Sequence, residues 1–105
     1  MNIKPKFKRC VTNQGAAHLA EVQVPAIRRA IREHRIHYAA MIWFDDIQKI
    51  LLDVDSVLRC YRLDPEDATV KAKLQTMADG AIEIKASTGY VFQILDSKGS
   101  VLHPW

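Results

Sequence analysis

The apolar positions fall into blocks of different period, and each block predicts an element. Residues 2–11 are a basic lead-in anchored by Phe7 and Val11, a short strand or a flexible arm. Thr12 has the character of an N-cap, and Ala16, Ala17, Leu19 and Ala20 suit a short helix behind it. Residues 21–24 read as a break. Residues 25–35 then form a compact amphipathic helix, with Pro25 in its first turn and Ile27 and Ile31 four apart on one face. Residues 36–44, rich in β-branched and aromatic types, predict two very short strands. Ile47, Ile50, Leu51, Val54, Val57, Leu58 and Tyr61 follow a helical period and predict a long central helix over 46–63. Asp64-Pro65-Glu66-Asp67 ends it and opens a second helix, capped by Asp64, that runs to about residue 78. Alternation at 82–85, an apolar run at 90–95 and a turn before 100–103 predict a C-terminal antiparallel β-meander. No internal repeat is evident.

These elements make an α+β domain, and 105 residues are enough for one core only. Apolar residues at 49% and charged residues at 26% exclude a disordered chain. The longest apolar run, Tyr38–Phe44, has seven residues, against the roughly 20 needed to span a bilayer. Lys4, Lys6, Lys8 and Arg9 break up any apolar secretion signal at the start. Cys10 and Cys60 make neither a disulfide framework nor a metal knuckle. The expectation is a cytoplasmic protein with reduced thiols and no membrane contact.

Charge changes the picture more than composition does. Residues 1–38 hold eight Lys/Arg and two acids, a balance of +6. Residues 39–105 hold seven Lys/Arg and ten acids, a balance of −3. A basic front on a mildly acidic back suits a polyanionic partner, or else a solvated face with no partner.

Two short helices joined by a tight break, the second one basic, have the form of a helix-turn-helix. Ala16, Ala17, Leu19, Val22, Ile27, Ile31, Arg32, Glu33, Arg35 and Ile36 fall without a gap on a known pattern. It is that of the excisionase-like and mercury-resistance-regulator-like winged helix-turn-helix DNA-binding proteins, which residues 9–51 resemble. Trp43-Phe-Asp-Asp-Ile47 resembles the entry into that family's next helix. The chain departs from the pattern at Glu21 and His34, where the family usually has Gly, and in a short uncharged wing between Ile36 and Phe44. The resemblance implies an N-terminal winged helix-turn-helix over 9–51, extended by the helices and meander of 52–105. It also implies sequence-specific binding of double-stranded DNA, as a transcriptional regulator or recombination accessory factor of a phage or other mobile element.

The residues support that function on their own chemistry. Arginine pairs bidentately with guanine or phosphate, and a helix fits the major groove. Gln23 would sit at the recognition-helix N-terminus, where backbone N–H groups favour phosphate. Arg28, Arg29, Arg32 and Arg35 would line the helix, while Lys6, Lys8 and Arg9 would follow the DNA backbone as an arm. The alternative is that these arginines are solvated or stack on Trp43 or Tyr38.

The predicted central helix has more apolar surface than one stripe requires. Ile47, Ile50, Val54, Val57 and Tyr61 would be either core or the seam of a homodimer. A rival function is a non-enzymatic protein-interaction module of helix-turn-helix shape, such as a phage-encoded inhibitor of a host nucleic-acid complex. Its partner would meet the uncharged segment Tyr38–Phe44. His18, His34, His37 and His103 lack metal-site spacing. The pairs Asp45/Asp46 and Asp53/Asp55 suit helix capping better than acid–base catalysis. No enzyme, metal or cofactor is expected.

Overall fold

In the computed structural model, which describes residues 6–44, 47–85 and 90–95, five strands form one sheet and four helices gather on it. The strands are β1 (Lys6–Val11), β2 (Tyr38–Phe44), β3 (Ile47–Asp53), β4 (Ile82–Lys85) and β5 (Tyr90–Leu95). The helices are α1 (Asn13–Ala20), α2 (Val24–Arg32), α3 (Val54–Cys60) and α4 (Ala68–Asp79). The sheet order is β2-β3-β1-β5-β4. β1 runs antiparallel to β3 and parallel to β5, so the first strand is also the central one. The fold is α+β, and no described helix is long and apolar enough to cross a membrane.

Strand alternation divides the core. Val11, Leu52 and Leu95 are partners across the three central strands and face the helices. There they join Leu19, Ile27, Val54, Val57, Leu74 and Met77 in the larger cluster. Their neighbours Cys10, Leu51 and Ile94 form a smaller cluster on the opposite face, with Ile82, Ile84 and Phe92 packed against it.

The long central helix is not formed. Residues 47–53 are strand β3, and helix begins only at Val54. A short apolar run is compatible with either period, and here both Leu51 and Leu52 are buried, one on each face of the sheet. Pairing with β2 along residues 47–52, and with β1 at Leu52 and Asp53, satisfies this segment as strand. The dimer seam therefore does not exist as drawn: Ile47 and Ile50 lie on a strand, Val54, Val57 and Tyr61 on and after a helix. Val54 and Val57 are fully buried in the protein's own core, and Ile50 and Tyr61 pack against it. The side chain of Ile47 lies outside the described residues.

Other expectations shift in the same way. Residues 38–44 are one strand of a hairpin with β3, not two short strands. α4 is capped by Asp67, whose carboxylate accepts from the N–H groups of Thr69 and Val70, and not by Asp64. β4 and β5 pair antiparallel as expected, but β5 also joins β1, so the tail is part of the central sheet. The strand expected at 100–103 lies outside the described residues, as do Asp45 and Asp46.

One backbone device occurs twice, 41 residues apart. β1 ends at Val11 and β3 at Asp53, and Val11 is the antiparallel partner of Leu52. Thr12 caps α1 through a 3.1 Å bond from the Gly15 N–H, and Asp53 caps α3 through a 3.2 Å bond from the Ser56 N–H. Both helices end on a left-handed residue, Glu21 at φ 57° and Arg62 at φ 53°. Behind each, the next N–H reaches back to close the helix: Val22 to Ala17, Leu63 to Leu58. Gly15 and Ser56 hold equivalent places where space is short. A Cβ on Gly15 would lie 3.3 Å from the Val11 Cβ and 3.4 Å from the Met77 Cε. The Ser56 hydroxyl is small enough to be buried and accepts the His37 N–H at 2.7 Å.

Candidate nucleic-acid interface

α2 is placed by its apolar stripe. Ile27 and Ala30 are fully buried and Ile31 packs against the same cluster, which turns the rest of the helix outward. Its start follows from Gln23, held extended, and from Pro25 in the first turn. Its end follows from His34, left-handed at φ 59°, with the Arg35 N–H closing onto the Ala30 carbonyl. Arg29 and Arg32 sit in the last turn, where cations oppose the negative end of the helix dipole.

Arg28, Arg29 and Arg32 are exposed, and among the described residues none of the three has an acidic partner. Arg28 and Arg32 are one turn apart on the same face, and Arg29 stands beside them. Gln23 is also exposed, and its side chain makes no capping bond. Arg35 is exposed but committed. Its guanidinium donates to Glu33 at 2.7 Å and lies 3.8 Å from the Cys60 Sγ. The hydrogen bond to Glu33 holds its pKa above the usual value.

The arm is absent. Lys6, Lys8 and Arg9 belong to β1, where they pair in register with Tyr90, Phe92 and Gln93 of β5, so this segment is held in the sheet rather than free to track DNA. Lys8 is half-buried, and Arg9 lies 3.6 Å from Asp55. The side chain of Lys6 lies outside the described residues. Among the described residues, the basic front therefore resolves into three arginines without an acidic partner on α2, and Arg9 and Arg35, which are paired to Asp55 and Glu33.

The turn between α1 and α2 has a partner that no local pattern could reveal. Lys73 of α4 reaches Glu21 at 2.9 Å, and this hydrogen bond and charge pull the Glu21 carboxyl below its ordinary range. The acid nearest the basic helix in the turn is thus neutralised from a residue 52 positions away. Beneath it, a cleft of about 330 Å³ runs between the end of α1 and the start of α4, lined by Leu19, Glu21, Arg62, Asp67 and Lys73.

The remaining candidates have structural occupations. Asp53 caps α3 and Asp55 faces Arg9. Burial pushes the Cys10 thiol up to about 11, so it stays protonated and inert at neutral pH. His18, His34 and His37 are exposed, and no group of three metal-ligating side chains is found among the described residues. Sequence reasoning did not single out Tyr38 and Met41 as exposed large apolar side chains. Their only signal was the uncharged run that contains them. No protein-family model, curated protein or solved structure matches this chain.

Proposed function

We propose that the chain binds double-stranded DNA sequence-specifically, with α2 as the element that enters the major groove. The observation that carries this reading is the single exposed face of Arg28, Arg29 and Arg32, without acidic partners among the described residues, on a helix whose opposite face is anchored in the core. Groups left in this state suit bidentate contacts to guanine or phosphate, because forming them breaks no existing ion pair. Gln23 joins them at the helix N-terminus.

Two further features support the resemblance to the excisionase-like winged helix-turn-helix proteins. Glu21 and His34, at the positions where that family usually has Gly, both adopt the left-handed backbone that Gly favours. A β-hairpin, β2–β3, follows α2 as a wing would, although it spans 38–53 and not 36–44, and Ile47 opens a strand where the resemblance implies a helix. A role as a regulator or recombination accessory factor of a mobile element, and a cytoplasmic location, go with this reading.

The test is selection of bound sites from random duplexes, followed by titration against salt. Logarithmic affinity should fall linearly with logarithmic salt concentration, with a slope near −0.9 per phosphate contact. Absence of a selected sequence, together with no salt dependence, would remove the DNA function and leave the interaction-module reading.

A further inference from the structure

The chain leaving α2 is fastened to α3. The Arg35 guanidinium lies 3.8 Å from the Cys60 Sγ, and the His37 N–H donates to the Ser56 hydroxyl at 2.7 Å. The His37 carbonyl in turn accepts from the Asp53 N–H at 3.1 Å. Ser56 and Cys60 are one turn apart, so residues 35–37 lie along one side of α3 from its last turn to its first. Val54, Val57 and Leu58 hold another side in the cluster that also contains Ile27 and Ala30 of α2. Arg59 is left on the outward side of the helix, next to Cys60. It is exposed, and among the described residues it makes no ion pair. Acids are close by in sequence and in space, but they are taken. Asp55 is one turn before Arg59, the spacing at which helix ion pairs form, yet it lies 3.6 Å from Arg9. Glu33, just past the end of α2, is bound to Arg35. Arg62, one turn further on, differs: it lines the cleft opposite Glu21, together with Asp64 and Asp67.

We infer that Arg59 is a phosphate contact, made at the end of α3 on the DNA backbone that borders the groove entered by α2. The inference rests on the DNA-binding reading and adds to it a contact outside the recognition helix. Three bonds fix the exit of α2 on α3, so the unpaired guanidinium is carried at a set place beside the arginine face. It can meet a phosphate oxygen without breaking an existing pair. Arg59 belongs to a different element from the one in the groove, so it meets the bordering strand and not the base edges. It therefore sets the register of the complex and carries no sequence preference. A cation in the last turn of α3 also opposes the helix dipole, and that role would move the melting temperature but not the salt dependence of binding.

The experiment is a salt titration of the full chain on a duplex selected by the wild type and on an unselected duplex. Arg59→Gln should give a log–log slope shallower by about 0.9, the counterions of one phosphate. It should weaken binding to both duplexes by the same factor. Arg59→Lys should keep the wild-type slope, since a phosphate accepts a point charge. Arg62→Gly should also keep it, because that cation faces the cleft. Thermal melting should show each variant folded, and Arg59→Ala carries the same test if Arg59→Gln does not fold. An unchanged slope for Arg59→Gln, or a loss confined to the selected duplex, overturns the contact and leaves α2 as the reading helix. An equal change in Arg62→Gly overturns it too, since the effect would then be one of net charge. A wild type without salt-dependent binding to either duplex overturns both the contact and the DNA-binding reading.

Discussion

The pairs α1–α2 and α3–α4 begin on the same backbone device and differ in how they continue and in what they expose. Each follows a strand end, begins on a side-chain cap, and turns on a left-handed residue after its first helix. The first pair turns within residues 21–23 and presents Arg28, Arg29 and Arg32 unpaired. The second takes residues 61–67 to turn and presents a mixed surface, with Lys71 3.9 Å from Glu66 and Lys73 turned back to Glu21. The distinguishing property of α2 is the unbalanced charge on its outer face.

The hardest test of the equivalence lies in the core. Val57 and its counterpart Ala16 are both fully buried. Val57→Asp and Ala16→Asp should each cost several kcal/mol, since a carboxylate there has no partner. Both variants should lose their cooperative thermal transition in circular dichroism. A folded, monomeric variant at either site would show that the two halves do not carry the fold equally.

The functional contrast should appear next in size. Arg29→Ala and Arg32→Ala should each weaken DNA binding by about 1–3 kcal/mol if they read bases, measured by gel shift with an unchanged melting temperature. Lys71→Ala on α4 should leave binding where it was. Equal losses from α2 and α4 would erase the distinction between the two helices.

The caps come third. Thr12→Ala and Asp53→Ala should each destabilise by about 1 kcal/mol in denaturant titrations, with Thr12 the costlier because its hydroxyl is fully buried. Smallest are the left-handed turns. Arg62→Gly should stabilise by roughly 0.5–1 kcal/mol, because Gly adopts that conformation without strain. Glu21→Gly should gain less at neutral pH, since it also loses Lys73. The Glu21 carboxyl titrates below its unfolded value, so its contribution is present above the ordinary carboxylate range and fades as pH falls. The gap between the two glycine variants should close on acidification.

The repeat was not legible in the sequence. Residues 10–22 and 51–63, aligned at the 41-residue offset, share no identical residue. Caps and left-handed positions can be filled by different side chains that serve the same backbone, as Thr12 and Asp53 do, or Glu21 and Arg62. The α1–α2 region was legible because local rules decide it: a Thr cap, a Pro in the first turn, and isoleucines four apart beneath a ring of arginines. The candidate face on α2 was legible for the same reason. Which cations of the basic front remain unpaired was not, because Asp55, 46 residues along, takes Arg9 of β1.

The sequence by itself determined the mixture of helices and strands, the amphipathic α2 with its arginines outward, and the hairpin formed by residues 82–85 and 90–95. Hydrophobic period, caps and turn residues act within a few positions, and there they suffice. Only the tertiary structure decided that 47–53 is a strand. Its apolar run satisfies either period, and β2 along its length, with β1 at its end, supplies the pairing that settles the choice. The tertiary structure also turned the basic lead-in into the central strand and buried Val54 and Val57 in the core. It left the uncharged strand β2 at an edge. Partners distant in sequence decide all of these, because sheet pairing and burial depend on what the rest of the chain brings alongside.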